Sequence, residues 1–422
     1  MLFRSATLND DRATFALWAP TAEQVYVKLF TTTGNQLTEV HQLVPMIRGE
    51  KGVWQVKIDG GKPWLAYRFL VCVDGICKEA QDPYGYTTLP NAQASVIING
   101  DNTLAEFWQG PDSFSALDAV IYEVSVRDIT QHPSSGARYP GTYEALATKG
   151  LNYHGKPVGR DYLRDLGITH VQLLPIYDFG SVDETNPRVR YNWGYDPIQY
   201  FCPEGSLSAN PLDPVQRVEG VKKMVKALHA DGLGVIMDVV YNHMFDRDTS
   251  PLELVVPGYY FRLDAQGKPS NGSFCGNDLD STKKMTRRLV LDCTRHWMTT
   301  YGIDGFRFDL MGILDKETMG AVSRLVGEIN PRGLVYGEGW NMPTALDDEV
   351  KAIMHHAQHL PGIGFFNDRY RDFYKGATMT EKVGEKGLLT GAKALRAGWK
   401  HNSGFGELFF SQDIGQHVQY MP

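Results

Sequence analysis

Gly305-Phe306-Arg307-Phe308-Asp309 is the stretch around which the chain is organised. It is an apolar run with one arginine that ends on an acid, just after Trp297-Met298 and a Gly302/Gly305 turn. This predicts a short buried strand whose last residue emerges at its C-terminal end. Arg307 and Asp309 are two apart, so on a strand both side chains project from one face. A cation beside a carboxylate in a barrel interior keeps that carboxylate ionised, as a nucleophile requires. An isolated arginine-x-aspartate is more often a structural ion pair, and two similar strands beside it shift the balance.

Upstream lies Val235-Ile236-Met237-Asp238-Val239-Val240-Tyr241-Asn242-His243, and downstream Leu334-Val335-Tyr336-Gly337-Glu338-Gly339-Trp340. Each is an apolar β-type run followed by polar groups. A (β/α)8 barrel builds its active site at that end of the strands. Successive strands delivering His243, Asp309 and Glu338 therefore predict a carboxylate pair with a histidine beside it. Such a pair on one side of a sugar ring is the minimum equipment for cleaving a glycosidic bond.

These three runs resemble conserved regions of the α-amylase superfamily, glycoside hydrolase family 13. Tyr191-Asn192-Trp193-Gly194-Tyr195-Asp196-Pro197 resembles the signature of its type I pullulanase branch. The resemblance implies α-1,6 debranching of pullulan and of starch- or glycogen-derived glucans by a retaining mechanism. It implies Asp309 as nucleophile and Glu338 as acid/base. Tyr195 would be a platform under the sugar, and His243 a hydrogen-bonding contact to it. Asp238 would buttress the site, Arg307 would orient Asp309, and Trp340 would stack the departing sugar. Met311, with Leu310, would line the acceptor side. No organic cofactor is implied; a calcium ion near Asn271–Asp278 is conceivable and is not predicted.

At 422 residues the chain has room for two domains with large cores. Hydrophobic residues make up 42% and charged residues 22%, ordinary for a globular protein. The net charge of -7 argues against nucleic-acid binding, which needs a concentrated basic face. An acidic, aromatic-rich chain suits a neutral polymer such as an α-glucan. Met1–Ser5 lacks a signal-peptide core, and no apolar run predicts a membrane span. Cys72, Cys77, Cys202, Cys275 and Cys293 are odd in number and lack metal-type spacing, which predicts free thiols in the cytoplasm. A local Cys72–Cys77 disulfide is the minor alternative, for an exported protein.

Residues 1–110 read as an all-β sandwich of short alternating strands, with turns at Gly34-Asn35 and Asp74-Gly75. The sandwich resembles a family 48 carbohydrate-binding module. Trp18 and Trp54 alternate with apolar residues and read as core, whereas Trp64 lies in a turn. Residues 111–422 read as the barrel, with strands near 119–128, 169–175, 235–240, 305–309, 334–338 and 362–368. Helices are expected at Tyr143–Leu151, Tyr162–Gly167, Val218–Asp231 and Lys316–Asn330. Family members carry a His-Asp pair after strand seven, and Gln416-His417-Val418-Gln419-Tyr420 looks like the start of that strand. The sequence then reads Met421-Pro422, so the expectation is a TIM barrel incomplete at strands seven and eight. Its open edges would invite a complementing chain. A catalytically inactive glucan-binding protein and an α-1,4-acting or transferring member are the alternatives.

Overall fold

The computed structural model describes residues 5–9, 12–33, 36–60, 65–98 and 105–376. The expected turn at Gly34-Asn35, Trp64 and the strand start at 416–420 lie outside them. The all-β region contributes β1 (Ala6–Asn9), β2 (Arg12–Trp18), β3 (Gln24–Thr33), β4 (Gln36–Pro45), β5 (Ile47–Arg48), β6 (Val53–Asp59), β7 (Leu65–Val73), β8 (Ile76–Ala80) and β9 (Ser95–Ile97). One antiparallel sheet runs β1-β2-β6-β5; the other runs β4-β3-β7-β8, with β9 on β7. Alternation in β2 buries Ala13, Phe15 and Leu17, and Phe15 meets Tyr67 of the other sheet edge-on, with ring centroids 5.0 Å apart. That contact closes the sandwich.

The β7–β8 turn changes the cysteine reading. Asp74 (φ +49°) and Gly75 (φ +73°) both sit in the left-handed region, the turn type that matches strand twist. The turn sets Cys72 directly opposite Cys77, with Cα atoms 4.0 Å apart, and the two form a disulfide. The expectation of five free thiols is therefore corrected. Cys202 and Cys293 are free and buried, and Cys275 is free and exposed.

A second, curled sheet follows. β10 (Ile121–Val124) precedes a small hairpin of β11 (Asn152–Tyr153) and β12 (Lys156–Pro157). Then come β13 (His170–Leu173), β14 (Gly234–Val239), β15 (Gly305–Phe308), β16 (Leu334–Gly337) and β17 (Gly364–Phe365). Its order, β10-β13-β14-β15-β16-β17, follows the sequence, and every pairing is parallel. Sequential parallel strands with helical crossovers make a partial barrel, and among the described residues β10 and β17 remain its edges.

The helices are α1 (Asp128–Gln131), α2 (Tyr143–Leu146), α3 (Arg160–Asp165), α4 (Pro214–Ala230), α5 (Pro251–Val255), α6 (Lys284–Tyr301), α7 (Lys316–Ile329) and α8 (Asp368–Lys375). α4 starts at the Asp213 cap, whose carboxylate accepts from Val215 and Gln216 N–H, with Pro214 at the first helical position. It turns Val218, Val221, Met224, Val225 and Leu228 onto the core. α2 is shorter than the 143–151 periodicity predicts, ending on Leu146 before a Lys149-Gly150 turn.

The two regions share one core. Trp54 is buried, as expected, but Trp18 is only half-buried and meets Tyr259 and Tyr260 of the barrel edge-on at 5.1 and 6.2 Å. Among the described residues no helix is long and apolar enough to cross a membrane.

Candidate active site

Parallel register across β14, β15 and β16 sets Asp238 opposite Arg307, and Arg307 opposite Tyr336. Arg307 lies at the centre of an acidic cluster. Its Nη1 donates to Asp238 Oδ1 and to Asp309 Oδ1, each at 3.0 Å, and its Nη2 donates to Glu338 Oε1. One planar guanidinium thus holds carboxylates from the ends of three adjacent strands, the rigid forked geometry that lysine lacks. The rings of Tyr195 and Phe366 lie 5.9 and 5.3 Å from its central carbon.

Each carboxylate of the expected pair has a second anchor. Asn242 Nδ2 donates to Asp309 Oδ2 at 2.9 Å and to the Asp309 main-chain oxygen at 2.8 Å. Leu310 N–H donates to Glu338 Oε2 at 2.9 Å, and Leu310 holds φ +39°, a conformation a leucine rarely adopts. The next turn sits tight on the segment after β16: a Cβ on Gly312 would lie 1.8 Å from the Trp340 carbonyl oxygen, so only glycine fits. Sequence reasoning gives Asn242 no role and expects only the side chain of Leu310, on the acceptor side, and not its main-chain N–H. Asn242 at a strand end was a usable signal; the backbone bend at Leu310 has no sequence signal.

The structure gathers Asp309, Glu338, Arg307, Tyr195, His243 and Asp238 in one cluster. Tyr195, half-buried, donates its hydroxyl to Asp238 Oδ2 at 2.7 Å. His243 faces two oxygens, Asn242 Oδ1 from Nδ1 and the Tyr195 carbonyl from Nε2 at 3.0 Å. Asp238 is fully buried, so it lies beneath the surface as a support. Trp340 is part-exposed, and its buried indole N–H has no partner among the described residues. Met311 is a correction. It is fully buried, because the tight turn after Leu310 folds its side chain into the core and away from any cleft wall.

One guanidinium facing three acids leaves excess negative charge, and burial amplifies the imbalance. Burial pushes Asp238 up to about 8, with Arg307 opposing and Asp309 adding to the rise. Glu338 is also raised, by burial first and by the Asp309 charge, against the pull of Arg307. Burial lowers His243, although the neighbouring Asp309 works in the other direction.

The Asn271–Asp278 loop packs beside the cluster. Asn277 brackets Met244, accepting from its N–H at 3.0 Å and donating to its carbonyl at 2.9 Å. Asp278 accepts from Ser270, Gly272, Ser273 and Thr344, so its oxygens are served by the protein itself. Elsewhere, Asp178, Glu184 and Glu204 bring one carboxylate oxygen each to within 4.8 Å of one another. Arg217 supplies positive charge there, bonding Glu184 Oε2 at 2.6 Å, and this fits an ion-pair cluster better than a cation site.

Residues 5–85 match the family Carbohydrate-binding module 48 (Isoamylase N-terminal domain). Pullulanase from Bacillus subtilis (strain 168) is 41% identical over 405 residues, which is 95% of this chain and 55% of that protein. The crystal structure of pullulanase from Anoxybacillus sp. LM18-11 complexed with maltotetraose superposes with a TM-score of 0.87 at 40% identity, covering 94% of this chain and 58% of that one. Pullulanase from Paenibacillus barengoltzii, solved with maltohexaose and alpha-cyclodextrin, gives 0.87 at 41% identity, covering 92% and 60%. The chain therefore spans a little over half the length of these relatives. With its module 48 region, its partial parallel barrel and this identity along nearly its whole length, the chain belongs to the type I pullulanase family.

Proposed function

We propose that the chain is a retaining debranching glycoside hydrolase acting on α-1,6-glucosidic linkages in pullulan and in starch- or glycogen-derived glucans. The observation that carries this reading is the single guanidinium holding both Asp309 and Glu338. In the first step an Asp309 oxygen attacks the anomeric carbon while Glu338 gives its proton to the departing glycosidic oxygen, leaving a covalent glycosyl-enzyme. In the second, Glu338 takes a proton from water, whose oxygen displaces Asp309. Arg307 keeps Asp309 oriented, and Asp238 supports Tyr195. Tyr195 offers a ring to the apolar face of the sugar at the cleavage point, and Trp340 does so for the departing one. His243 reaches the sugar by exchanging its Tyr195 carbonyl partner for a hydroxyl.

This reading divides the chain into a carbohydrate-binding module at 1–110 and a catalytic barrel at 111–422. The open edge of β10, where Val120 and Tyr122 are exposed, supports a complementing segment that completes the barrel. The free thiols of Cys202, Cys275 and Cys293 support a cytoplasmic setting, and the Cys72–Cys77 pair an oxidising one. Thiol titration of protein isolated without reductant decides between them.

The test is incubation of the purified chain with pullulan and linkage analysis of the products. Loss of α-1,6 linkages with release of new reducing ends is expected; cleavage at α-1,4 linkages would overturn the reading. Binding without release would favour the glucan-binding alternative, which the sheet's open edges among the described residues support.

The pH profile carries a further prediction. Glu338 must be protonated to act as an acid, and its proton affinity is raised. Activity should persist below that raised pKa and fall as pH rises through it. The alkaline limb of kcat/KM should thus stand above the ordinary glutamate value of about 4.3. A substrate with an aryl leaving group that needs no protonation should lose that limb in its first step.

A further inference from the structure

Behind the signature loop, between the ends of β10 and β13, lies a cavity of about 270 Å³ that the debranching reading does not use. Its walls include Arg127, Arg138, Arg188 and Arg190, and among the described residues no carboxylate lines it. In a chain with 49 acidic against 42 basic residues, that local composition runs against the global charge. Among the described residues none of these arginines is ion-paired. Arg127 donates to the Arg190 carbonyl at 3.3 Å and lies 4.9 Å from the Tyr191 ring, and Arg138 lies 5.1 Å from the Tyr139 ring. Asp196 feels the charge of Arg190 without pairing with it. Guanidinium groups without carboxylate partners on the walls of one cavity give it a positive field, and their forked donors match the oxygens of a phosphate.

Two aromatic side chains stand exposed on the same walls, Tyr139 at 42% and Trp193 at 62%. Exposed rings of this kind offer flat surface to the C–H face of a sugar, and the volume suits one sugar unit with its phosphate better than a chain of them. We propose that this cavity is a binding site for a phosphate monoester of a hexose, separate from the acidic cluster around Arg307. The two sites have opposite charge, so the phosphate favours this cavity over the acidic cluster.

The proposal is tested by titration calorimetry on the whole chain with glucose 6-phosphate, inorganic phosphate and glucose, in the wild type and in an Arg138→Gln/Arg188→Gln variant. Both arginines are exposed, so the unliganded melting temperature should not move. Glucose 6-phosphate should bind more tightly than either of its parts. The double substitution should weaken it at least tenfold, and raising the salt from about 50 to about 200 mM should weaken it as well. Equal affinity for inorganic phosphate or for glucose would overturn the assignment, as would binding that the double variant leaves unchanged.

Discussion

Asp309→Asn is expected to lower the release of reducing ends from pullulan by on the order of 10⁴-fold or more while leaving the fold intact. The amide keeps the shape of the carboxylate but removes the attacking oxygen's charge, so no glycosyl-enzyme forms. It also removes one of the three acids sharing Arg307, which relieves rather than creates a charge imbalance. Thermal stability should therefore be unchanged or slightly raised. Measuring turnover and melting on the same sample separates lost chemistry from lost structure. Residual turnover within tenfold of the wild type would remove Asp309 from the nucleophile's position.

The largest stability effect is expected away from the catalytic cluster, at Arg217. This side chain on α4 is fully buried and bonds Glu184 at 2.6 Å, Thr88 at 3.2 Å and the Pro203 carbonyl at 3.3 Å. Asp178 and Glu204 are its buried acidic neighbours, and Thr88, from the all-β region, also donates to Asp178. Arg217→Met removes the cation and leaves Glu184 buried and unpaired, an arrangement that costs about 3–5 kcal/mol. Differential scanning calorimetry should show a melting temperature lower by about 5 °C.

The deficit should shrink at lower pH. Burial pushes Glu204 up to about 8, with the charge of Glu184 adding to the rise. The folded chain thus holds a proton that the unfolded chain has lost above about 4.3. By linkage, this contribution is fully present below about 4.3 and is lost as pH rises through about 8. Asp238, also raised to about 8, acts in the same direction. Without Arg217 the acids protonate more readily, so the gap between variant and wild type should be wider at pH 8 than at pH 5. A gap independent of pH would mean that lost packing, not unpaired charge, dominates.

Much of this architecture was legible in residue order because its signals are local. Apolar runs ending on Asp238, Asp309 and Glu338 announce parallel strands, since a strand buried on both faces has little polar alternation. Asp74-Gly75 announces a tight hairpin, because only such residues accept two positive φ angles cheaply. Gly232 announces where α4 stops, whereas its start at Asp213-Pro214 lies four residues before the expected Val218. What escaped depends on groups that meet only after folding. Cys72 and Cys77 form a pair because the turn puts them in register. Met311 turns inward because the backbone bends at Leu310, a bend that no leucine signals.

The sequence by itself determined the family, the strand order and the acids that the strands carry, since each is written in a contiguous run. Tertiary structure alone decided that one guanidinium serves three carboxylates, that Asn242 and the Leu310 N–H anchor the expected pair, and that four arginines line one cavity behind the signature loop. The physical reason is that Coulomb interactions and hydrogen bonds depend on distances in space. These groups become neighbours only when parallel strands and long loops bring segments tens of residues apart to the same end of the sheet.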